Sequence, residues 1–485
     1  MDPSRRTLIR KAVLALALWL GFWGLSLGIA AALFWVPFAQ STAGAGVDPI
    51  GWLALVAGAG VLWSVRPRHW FAKRSEGWAP LSRADAPRLH AFVEQVASRC
   101  GVARPEEIGL EDGATASIGE IRRGLRRRRR VNIGLPLFAF LGTDELASVL
   151  AHEFGHHQGG DLALGPWVYR TRASLAQAVD SLEGSAFFLD VPFKAYGRMF
   201  IEVSGSVSRG QELAADARAA SAFGRHAAWS ALEQIHRLAP RWTVYLHAVA
   251  IPVIQHGCRI PLLEGFRTFL RQPQLRPELE RQAKELESRP PRPSDTHPPV
   301  EERLAAIDRN GRALAASRGE PAGCLDLLGG EAAAEALFYA RATEGKLTEA
   351  HWASVAREVL VPAQVKRFDD GPLALDKVTP GALPALLADW TPLARALAGG
   401  GPSFLSPAAE RARVRRLLEE WLSAALMVRG FEPLLVPGAA LTLRRGEETV
   451  EPESILQELE ERRLSRDEYE RRARSWERES APAEE

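Results

Sequence analysis

Residues 146–157 read LASVLAHEFGHH, an apolar, helix-forming run that ends in His-Glu-Phe-Gly-His-His. On a helix, residues four apart lie one turn apart on the same face, so His152 and His156 can direct both imidazoles toward one ion. Glu153 then lies beside that ion without having to bind it. This is the HExxH arrangement, in which two histidines hold zinc and the glutamate acts as general base. The segment therefore predicts a zinc site that hydrolyses peptide bonds.

A zinc site of this kind needs a third protein ligand and one open position. The best candidate lies in residues 208–220, SRGQELAADARAA, which are strong helix formers. Glu212 and Asp216 are four apart on one face, where like charges repel unless a cation lies nearby. The alternative is a solvated acidic pair balanced by Arg209 and Arg218. Beside an HExxH segment, we predict that Glu212 is the third ligand and that Asp216 accepts a hydrogen bond from a ligating imidazole.

Three motifs stand in a recognisable order: HEFGH, SRGQELAAD and, at residues 295–303, DTHPPVEER. With this order the chain resembles the HtpX-like and CAAX-prenyl-protease family of membrane zinc endopeptidases, from Leu81 to Ile307. The resemblance implies zinc ligands at His152, His156 and Glu212, a catalytic base at Glu153, and a supporting acid at Asp216. It also implies that His297 and Arg303 line the site and bind substrate or stabilise the oxyanion.

One stretch departs from the family pattern. The family usually carries an Asn-Ala edge-strand motif before HExxH, and the equivalent residues here are 113–119, GATASIG. Thr115 takes the place of the asparagine, and Ala116 follows it. A hydroxyl can still hydrogen-bond a substrate backbone, although it reaches less far than an amide. We therefore predict that an extended substrate adds a strand here.

The N-terminus predicts a membrane anchor. Residues Ala12–Val36 contain no charged side chain and are long enough to cross a bilayer. A cleaved signal peptide is the weaker interpretation, because its apolar core is shorter. A second uncharged stretch, Pro49–Val65, is near the lower length limit, and its alternative is a buried helix. Tryptophans near its ends favour a span.

Basic residues predict the orientation of this anchor. Four precede the first stretch and four follow the second, whereas the connecting loop Phe38–Asp48 has no Lys or Arg. The positive-inside rule then places both ends, and the catalytic region, in the cytoplasm at the inner (plasma) membrane. Three cysteines, Cys100, Cys258 and Cys324, form no ligand-like cluster, which agrees with a reducing compartment.

A strongly basic run, RRGLRRRRR at residues 122–130, lies between two predicted strands. A solvated hairpin tip is its ordinary explanation. The functional alternative is contact between Arg126–Arg130 and anionic lipid at the cytoplasmic leaflet. RNA binding is disfavoured because no aromatic residues are interleaved. The whole chain carries a net charge of only +2 among 120 charged residues (61 basic and 59 acidic), so no nucleic-acid partner is expected.

The pattern of elements predicts a mainly α fold with a small β-sheet. The expected parts are a transmembrane helical hairpin (1–66), an α+β zincin-like metallopeptidase domain (67–310), a helical extension with a linker (311–402) and a small C-terminal α+β appendage (403–485). Leu162–Val207 is interrupted by charges, which predicts soluble or interfacial helices rather than spans. A hairpin is predicted at Pro437–Val450, followed by a charged helical tail with a capping box at Ser465.

These observations favour a membrane-anchored zinc endopeptidase that cleaves protein substrates, and the family resemblance implies that these are damaged membrane proteins. Two other hypotheses stay open at this point. One is an inactive relative that binds unfolded segments. The other is a membrane scaffold whose C-terminal region recruits a partner of unknown identity.

Overall fold

The computed structural model describes residues 3–44, 46–65, 80–123, 126–158, 190–273, 275, 277–287, 297–308, 323–342, 345–397 and 406–477. Four predicted features lie outside these residues. They are the basic flank at 66–74, the part of the inter-motif stretch at 162–189, the first two residues of the DTHPP segment and the linker Gly399–Pro402.

Helices dominate the described residues. In chain order they are α1 (Pro3–Thr42), α2 (Pro49–Val65), α3 (Pro87–Arg99), α4 (Leu135–Phe140), α5 (Thr143–Gln158), α6 (Asp190–Phe223), α7 (Arg225–Tyr245), α8 (Ile251–Gln255), α9 (Leu262–Leu270), α10 (Pro277–Glu287), α11 (Val300–Ile307), α12 (Glu331–Ala342), α13 (Trp352–Val355), α14 (Val361–Arg367), α15 (Leu383–Ala388), α16 (Thr391–Leu397), α17 (Pro407–Met427), α18 (Pro452–Glu460) and α19 (Arg466–Trp476). Shorter turns are π-helical at Leu246–Ala250 and Ala356–Leu360, and 3-10 at Leu325–Leu328 and Pro380–Ala382.

The strands form small sheets. They are β1 (Glu107–Glu111), β2 (Ala116–Arg123), β3 (Arg126–Gly134), β4 (Cys258–Arg259), β5 (Thr348–Glu349), β6 (Glu432–Leu434), β7 (Thr442–Arg445) and β8 (Glu448–Val450). In the first sheet β3 is central, with β1 parallel to it on one side and β2 antiparallel on the other. The prediction of a mainly α fold with a small sheet is confirmed.

Contacts divide the chain into two compact units, Met1–Ala239 with Ser288–Ala342, and Pro240–Glu287 with Thr343–Glu485. The first unit contains the HExxH helix α5 and the sheet β1-β3-β2. Apolar residues of β1, β3 and α5, such as Leu110, Ile133 and Leu150, are fully buried there. The unit therefore has its own hydrophobic core, built around the element that carries the histidines.

At the N-terminus, α1 and α2 pack against each other. Val61 of α2 lies in one buried cluster with Phe22 and Ala30 of α1. The connection is fixed by Asp48, whose carboxylate accepts hydrogen bonds from the Gln40 amide at 2.8 Å and from the backbone N–H of Gly51 at 2.7 Å. Both apolar stretches are thus helical, as predicted.

Only one helix in the described part of the chain is long and apolar enough to cross a membrane, by length and composition. It is Leu16–Thr42, 27 residues near the N-terminus, and the apolar helix Pro49–Trp63 is shorter. The first predicted span is thereby supported as a candidate. The second stays a prediction.

The second unit has a core centred on α17. Trp421 and Leu418 of this helix are fully buried, together with Leu383 of α15 and Trp476 of α19. β7 and β8 pair as the predicted hairpin. Ser465 caps α19 by accepting the Glu468 N–H at 3.3 Å, as its spacing predicted. One core therefore contains residues from both sides of position 402, and the domain boundaries stay a prediction.

Candidate metal centre

The helix α5 is held at its start by a partly buried acid, Glu145. Glu145 Oε2 accepts the backbone N–H of Gly142 at 2.7 Å, which satisfies one of the free donors at the helix start. Its other oxygen accepts from Ser230 Oγ at 2.5 Å and Gln234 Nε2 at 2.7 Å, both on α7. This network fixes where α5 begins. No sequence-based prediction included this network, although the Gly142–Glu145 spacing was a usable signal for it.

Near its end, α5 lies very close to α6. A Cβ built on Gly155 would be 3.3 Å from the Cα and 3.4 Å from the Cβ of Ala215, so only glycine fits without displacement. The guanidinium of Arg218 on α6 also donates to the Gly155 carbonyl at 2.6 Å. Arg218 therefore makes a contact between the helices, which differs from the alternative interpretation that it balances a solvated acidic pair. This close approach brings Glu212 next to the two histidines.

The three predicted ligands lie together. His152 Nε2 is 3.1 Å from His156 Nε2, and each of these nitrogens is 3.4 Å from an oxygen of Glu212. One ligand atom from each residue lies within 4.8 Å of the other two. Glu212 is buried, with 6% of its surface exposed. The group could hold a metal ion.

The donor set fits zinc. Four ligand atoms at the usual zinc distances of about 2.0–2.2 Å, arranged tetrahedrally, lie about 3.3 Å from one another. The spacings of 3.1 Å and 3.4 Å between the His152, His156 and Glu212 atoms match that value. Two imidazoles and a carboxylate are also a known ligand set of catalytic zinc, which leaves a fourth position open.

Glu153 belongs to the same charged cluster. Burial raises its pKa, because a buried carboxylate loses hydration; the neighbouring imidazoles of His152 and His156 oppose this shift, and Glu212 adds to it. A carboxyl group with a raised pKa is better suited to take up and release a proton near neutral pH. The predicted base therefore has suitable surroundings.

Asp216 lies between His152 and Arg303. Its Oδ1 lies 2.8 Å from His152 Nδ1, and its carboxylate accepts two hydrogen bonds from Arg303, at 2.7 Å and 2.8 Å. Burial would raise the pKa of Asp216, but the Arg303 guanidinium and His152 outweigh it and lower the pKa. Because Nδ1 faces a carboxylate, Nε2 is directed toward Glu212 and His156.

The charges of the site also act on His152 and Glu212. Burial by itself lowers the pKa of His152, but Asp216 and Glu212 outweigh this and raise it to about 9. Burial would raise the pKa of Glu212, yet its interactions with His152 and His297 lower it. Both shifts favour the charged forms of these two groups, because opposite charges lie close together in a poorly hydrated site.

His297 and Arg303 both reach the site, in different ways. His297 Nδ1 lies 2.9 Å from Glu212 Oε2, and 62% of this side chain is exposed. Arg303, on α11, is only 12% exposed; besides its two bonds to Asp216, its third nitrogen lies 3.6 Å from Glu212. His297 is thus exposed to solvent beside the site, whereas Arg303 interacts with Asp216 and Glu212.

The predicted substrate strand lies at a sheet edge. Ala116 is the first residue of β2, which is an outer strand of the sheet in the described residues and packs beside α5. Thr115 immediately precedes it and is exposed; its carbonyl accepts the Gly134 N–H at 2.8 Å. The position agrees with strand addition, while the substrate contact of Thr115 and Ala116 stays a prediction.

The arginine run lies in the hairpin formed by β2 and β3, in which Arg123 pairs with Arg126. Arg126–Arg130 belong to β3, paired with β2 over their length. Arg130 is 2% exposed and donates to Asn132 Oδ1 at 2.7 Å. Arg128 lies 3.4 Å from Glu107 of β1. Part of the run is therefore structural, which leaves fewer arginines for anionic lipid.

Comparison with known proteins agrees with this geometry. Residues 84–310 match the family model of Peptidase family M48. This segment belongs to peptidase family M48. The match covers the predicted resemblance from Leu81 to Ile307 almost completely, so that prediction is confirmed.

Individual relatives of the chain carry the name Protease HtpX homolog. The one from Acidiphilium cryptum is 28% identical over 195 residues, 36% of this chain and 66% of the relative. The one from Halobacterium salinarum is 28% identical over 207 residues, 41% of this chain and 68% of the relative. The one from Methanothermobacter thermautotrophicus is 33% identical over 82 residues, 17% of this chain and 31% of the relative. The chain thus spans between about a third and two thirds of the length of these relatives. No solved structure matches the chain.

Proposed function

We propose that this M48 chain is a membrane-anchored zinc endopeptidase that hydrolyses peptide bonds in protein substrates. One observation carries the proposal: His152, His156 and Glu212 converge with zinc-like spacing, and Glu153 lies next to them in a partly buried setting. A metal site used only for structure has four protein ligands and no base. Three ligands with a base beside them are the pattern of hydrolytic zinc sites.

The residues have distinct tasks. When bound, zinc supplies Lewis-acid chemistry, because it lowers the pKa of a water molecule toward neutrality and polarises a carbonyl. The Glu153 carboxylate accepts the proton of the attacking water and delivers it to the leaving amine. Asp216 holds His152 in the tautomer whose Nε2 is available to the metal.

The geometry favours different roles for His297 and Arg303. His297 is exposed and lies beside Glu212, so it can donate to the oxyanion that develops on the substrate carbonyl. Arg303 directs its hydrogen bonds to Asp216 and is largely buried. We propose that Arg303 is a positioning residue that neutralises and orients Asp216, rather than a group that binds the oxyanion.

The substrate is proposed to bind in an extended form along β2. An edge strand offers unpaired backbone groups to an incoming chain, and side-chain pockets then give selectivity. β2 packs beside α5, so a peptide on this edge runs past the helix of the HExxH motif. Unfolded or damaged membrane proteins are the expected substrate class.

Attachment to the membrane is proposed through α1 and α2 as a helical hairpin. The apolar helix Leu16–Thr42 and its packing partner α2 support this, as do the basic residues that flank the pair. The positive-inside rule then puts the site on the cytoplasmic face. Protease added outside intact cells is expected to spare a C-terminal tag; cleavage of the tag without lysis would reverse this orientation.

Metal removal tests the catalytic proposal. The purified protein is expected to contain about one zinc per chain and to cleave casein, to stop after chelation, and to recover with zinc. Glu212→Gln should lose both zinc and cleavage. Glu264→Gln is the matched control, because Glu264 is an exposed acid of α9. A parent protein that cleaves equally well without zinc, or that holds zinc and never cleaves, would reject the proposal.

A further inference from the structure

The first half of α6 packs on the proposed membrane anchor. Phe200 is 1% exposed and lies in the same buried cluster as Phe22 of α1 and Val61 of α2. The hydroxyl of Tyr196 donates to the carbonyl of Leu18, and its ring lies beside Gly21. This half of α6 therefore lies level with Leu18–Phe22, near the N-terminal end of the apolar helix.

The opposite surface of this half-helix has two ridges of different chemistry. Val191, Ala195 and Met199 are four residues apart and therefore form one line along the helix. All three are exposed, Val191 by 52% and Met199 by 44%. The adjoining line consists of Lys194, Arg198 and Glu202. Large apolar side chains are thus presented outward, with polar side chains beside them.

Helix α1 leaves apolar side chains exposed at the same level. Leu16 is 44% and Leu20 is 58% exposed. In a membrane-anchored chain these residues face lipid. Since Tyr196 and Phe200 hold α6 against this part of α1, the outward ridge of α6 lies beside a surface that is already assigned to the bilayer.

We propose that the Val191–Ala195–Met199 ridge is embedded in the cytoplasmic interface of the bilayer, so that the helix carrying Glu212 is itself bound to the membrane. The apolar line enters the acyl boundary, and the exposed Arg198 beside it extends toward anionic headgroups. The inference rests on the proposed membrane attachment, and it adds a third contact beyond the hairpin.

This contact has a geometric consequence for the metal centre. The helix runs without interruption from Asp190 to Phe223 and carries both Glu212 and Asp216. Met199 and Glu212 are 13 residues apart, which corresponds to about 20 Å along the axis. The membrane-bound ridge and the metal ligand Glu212 therefore belong to one continuous helix. Binding of the ridge to the membrane then sets the position of that ligand.

Spin labels at three positions test the inference. The full chain, with Cys100→Ser to remove its most exposed thiol, is labelled at Leu20→Cys, Met199→Cys or Ala217→Cys; Cys258 and Cys324 are only 7% and 4% exposed. Each protein is reconstituted into vesicles of phosphatidylcholine and phosphatidylglycerol. Relaxation by oxygen, which partitions into lipid, is compared with relaxation by a water-soluble nickel chelate. Zinc content equal to the parent's confirms that each variant is folded.

The three labels separate the possible outcomes. The Met199 label is expected to favour oxygen over nickel as the Leu20 label does, and the exposed Ala217 label on the same helix should favour nickel. A Leu20 label in lipid together with a Met199 label as nickel-accessible as Ala217 overturns the inference and leaves the anchor intact. A Leu20 label in water overturns the anchor and the inference together, while casein cleavage is judged separately. If Met199→Cys does not fold, Val191→Cys replaces it.

Discussion

Asp216 is the group whose loss has the most calculable effect. It accepts two hydrogen bonds from Arg303 and lies 2.8 Å from His152 Nδ1. Asp216→Asn keeps the size of the side chain and removes its charge. The Arg303 guanidinium, 12% exposed, is then buried without its main counter-charge.

Removing one partner of a buried pair costs about 3–5 kcal/mol of unfolding free energy. Glu212 still lies 3.6 Å from Arg303, so we expect the lower end, about 3 kcal/mol. Asp216→Asn combined with Arg303→Met removes the isolated charge and should regain about 1–2 kcal/mol relative to the single variant. Zinc affinity of the single variant should fall about 10–100-fold, because the orientation of His152 is no longer fixed.

Urea denaturation of the detergent-solubilised, chelator-treated protein measures these changes. Asp308→Asn is the matched control, because its pair with Arg225 has a similar spacing of 3.2 Å but is more exposed. That control should lose at most about 1 kcal/mol. The reasoning is refuted if Asp216→Asn loses no more than the control, or if the double variant is less stable than the single one.

Three further predictions concern the two helices of the site. The folded-state pKa of His152 is about 9, above its ordinary value of 6.5. Its contribution to the stability of the metal-free protein is therefore present below pH 6.5 and is lost as the pH rises through about 9. Denaturation of the chelated protein is expected to show this contribution at about pH 6 and its loss at about pH 10. Gly155→Leu must separate α5 from α6, so zinc titration should show at least about tenfold weaker binding. Arg218→Ala removes the donor to the Gly155 carbonyl and should cost about 1 kcal/mol in urea denaturation, with partial recovery in Arg218→Lys.

The metal centre was largely predictable because its information is local. His152 and His156 are one helical turn apart, and so are Glu212 and Asp216; a helix converts such spacing directly into proximity. The separation between the two pairs is not local. The family resemblance predicted that the two pairs lie together. The physical reason is Gly155, which lets α5 and α6 approach closely enough.

Contacts between segments that are far apart in the sequence were not predicted. The arginine run has no helical or alternating apolar pattern, so it was placed between two predicted strands, whereas β2 and β3 extend into it. The strand β3 is stabilised by partners far away in sequence: the Glu107 carboxylate lies 3.4 Å from Arg128, and β1 pairs with the β3 backbone. The sequence of one strand alone does not specify which residues lie opposite it in a sheet.

The contact between the first half of α6 and α1 was not predicted either, for a related reason. Lys194, Arg198 and Glu202 interrupt the apolar residues, which made the segment unlike a membrane span. In the fold, Tyr196 and Phe200 face α1, whereas Arg198 and Glu202 are exposed. Arg303 was similarly ambiguous, since an arginine in Glu-Glu-Arg-Leu is typical of a surface ion pair. Only the bidentate contact with Asp216 identifies its partner.

The account depends most directly on Glu153. The decisive measurement is the casein cleavage rate of Glu153→Gln relative to the parent, with zinc determined on the same samples. Retained zinc, at about one per chain, with cleavage reduced at least about a hundredfold is the expected result, because the ligands are intact and only the proton acceptor is lost. A Glu153→Gln protein that holds zinc and cleaves at the parental rate would contradict the proposed mechanism.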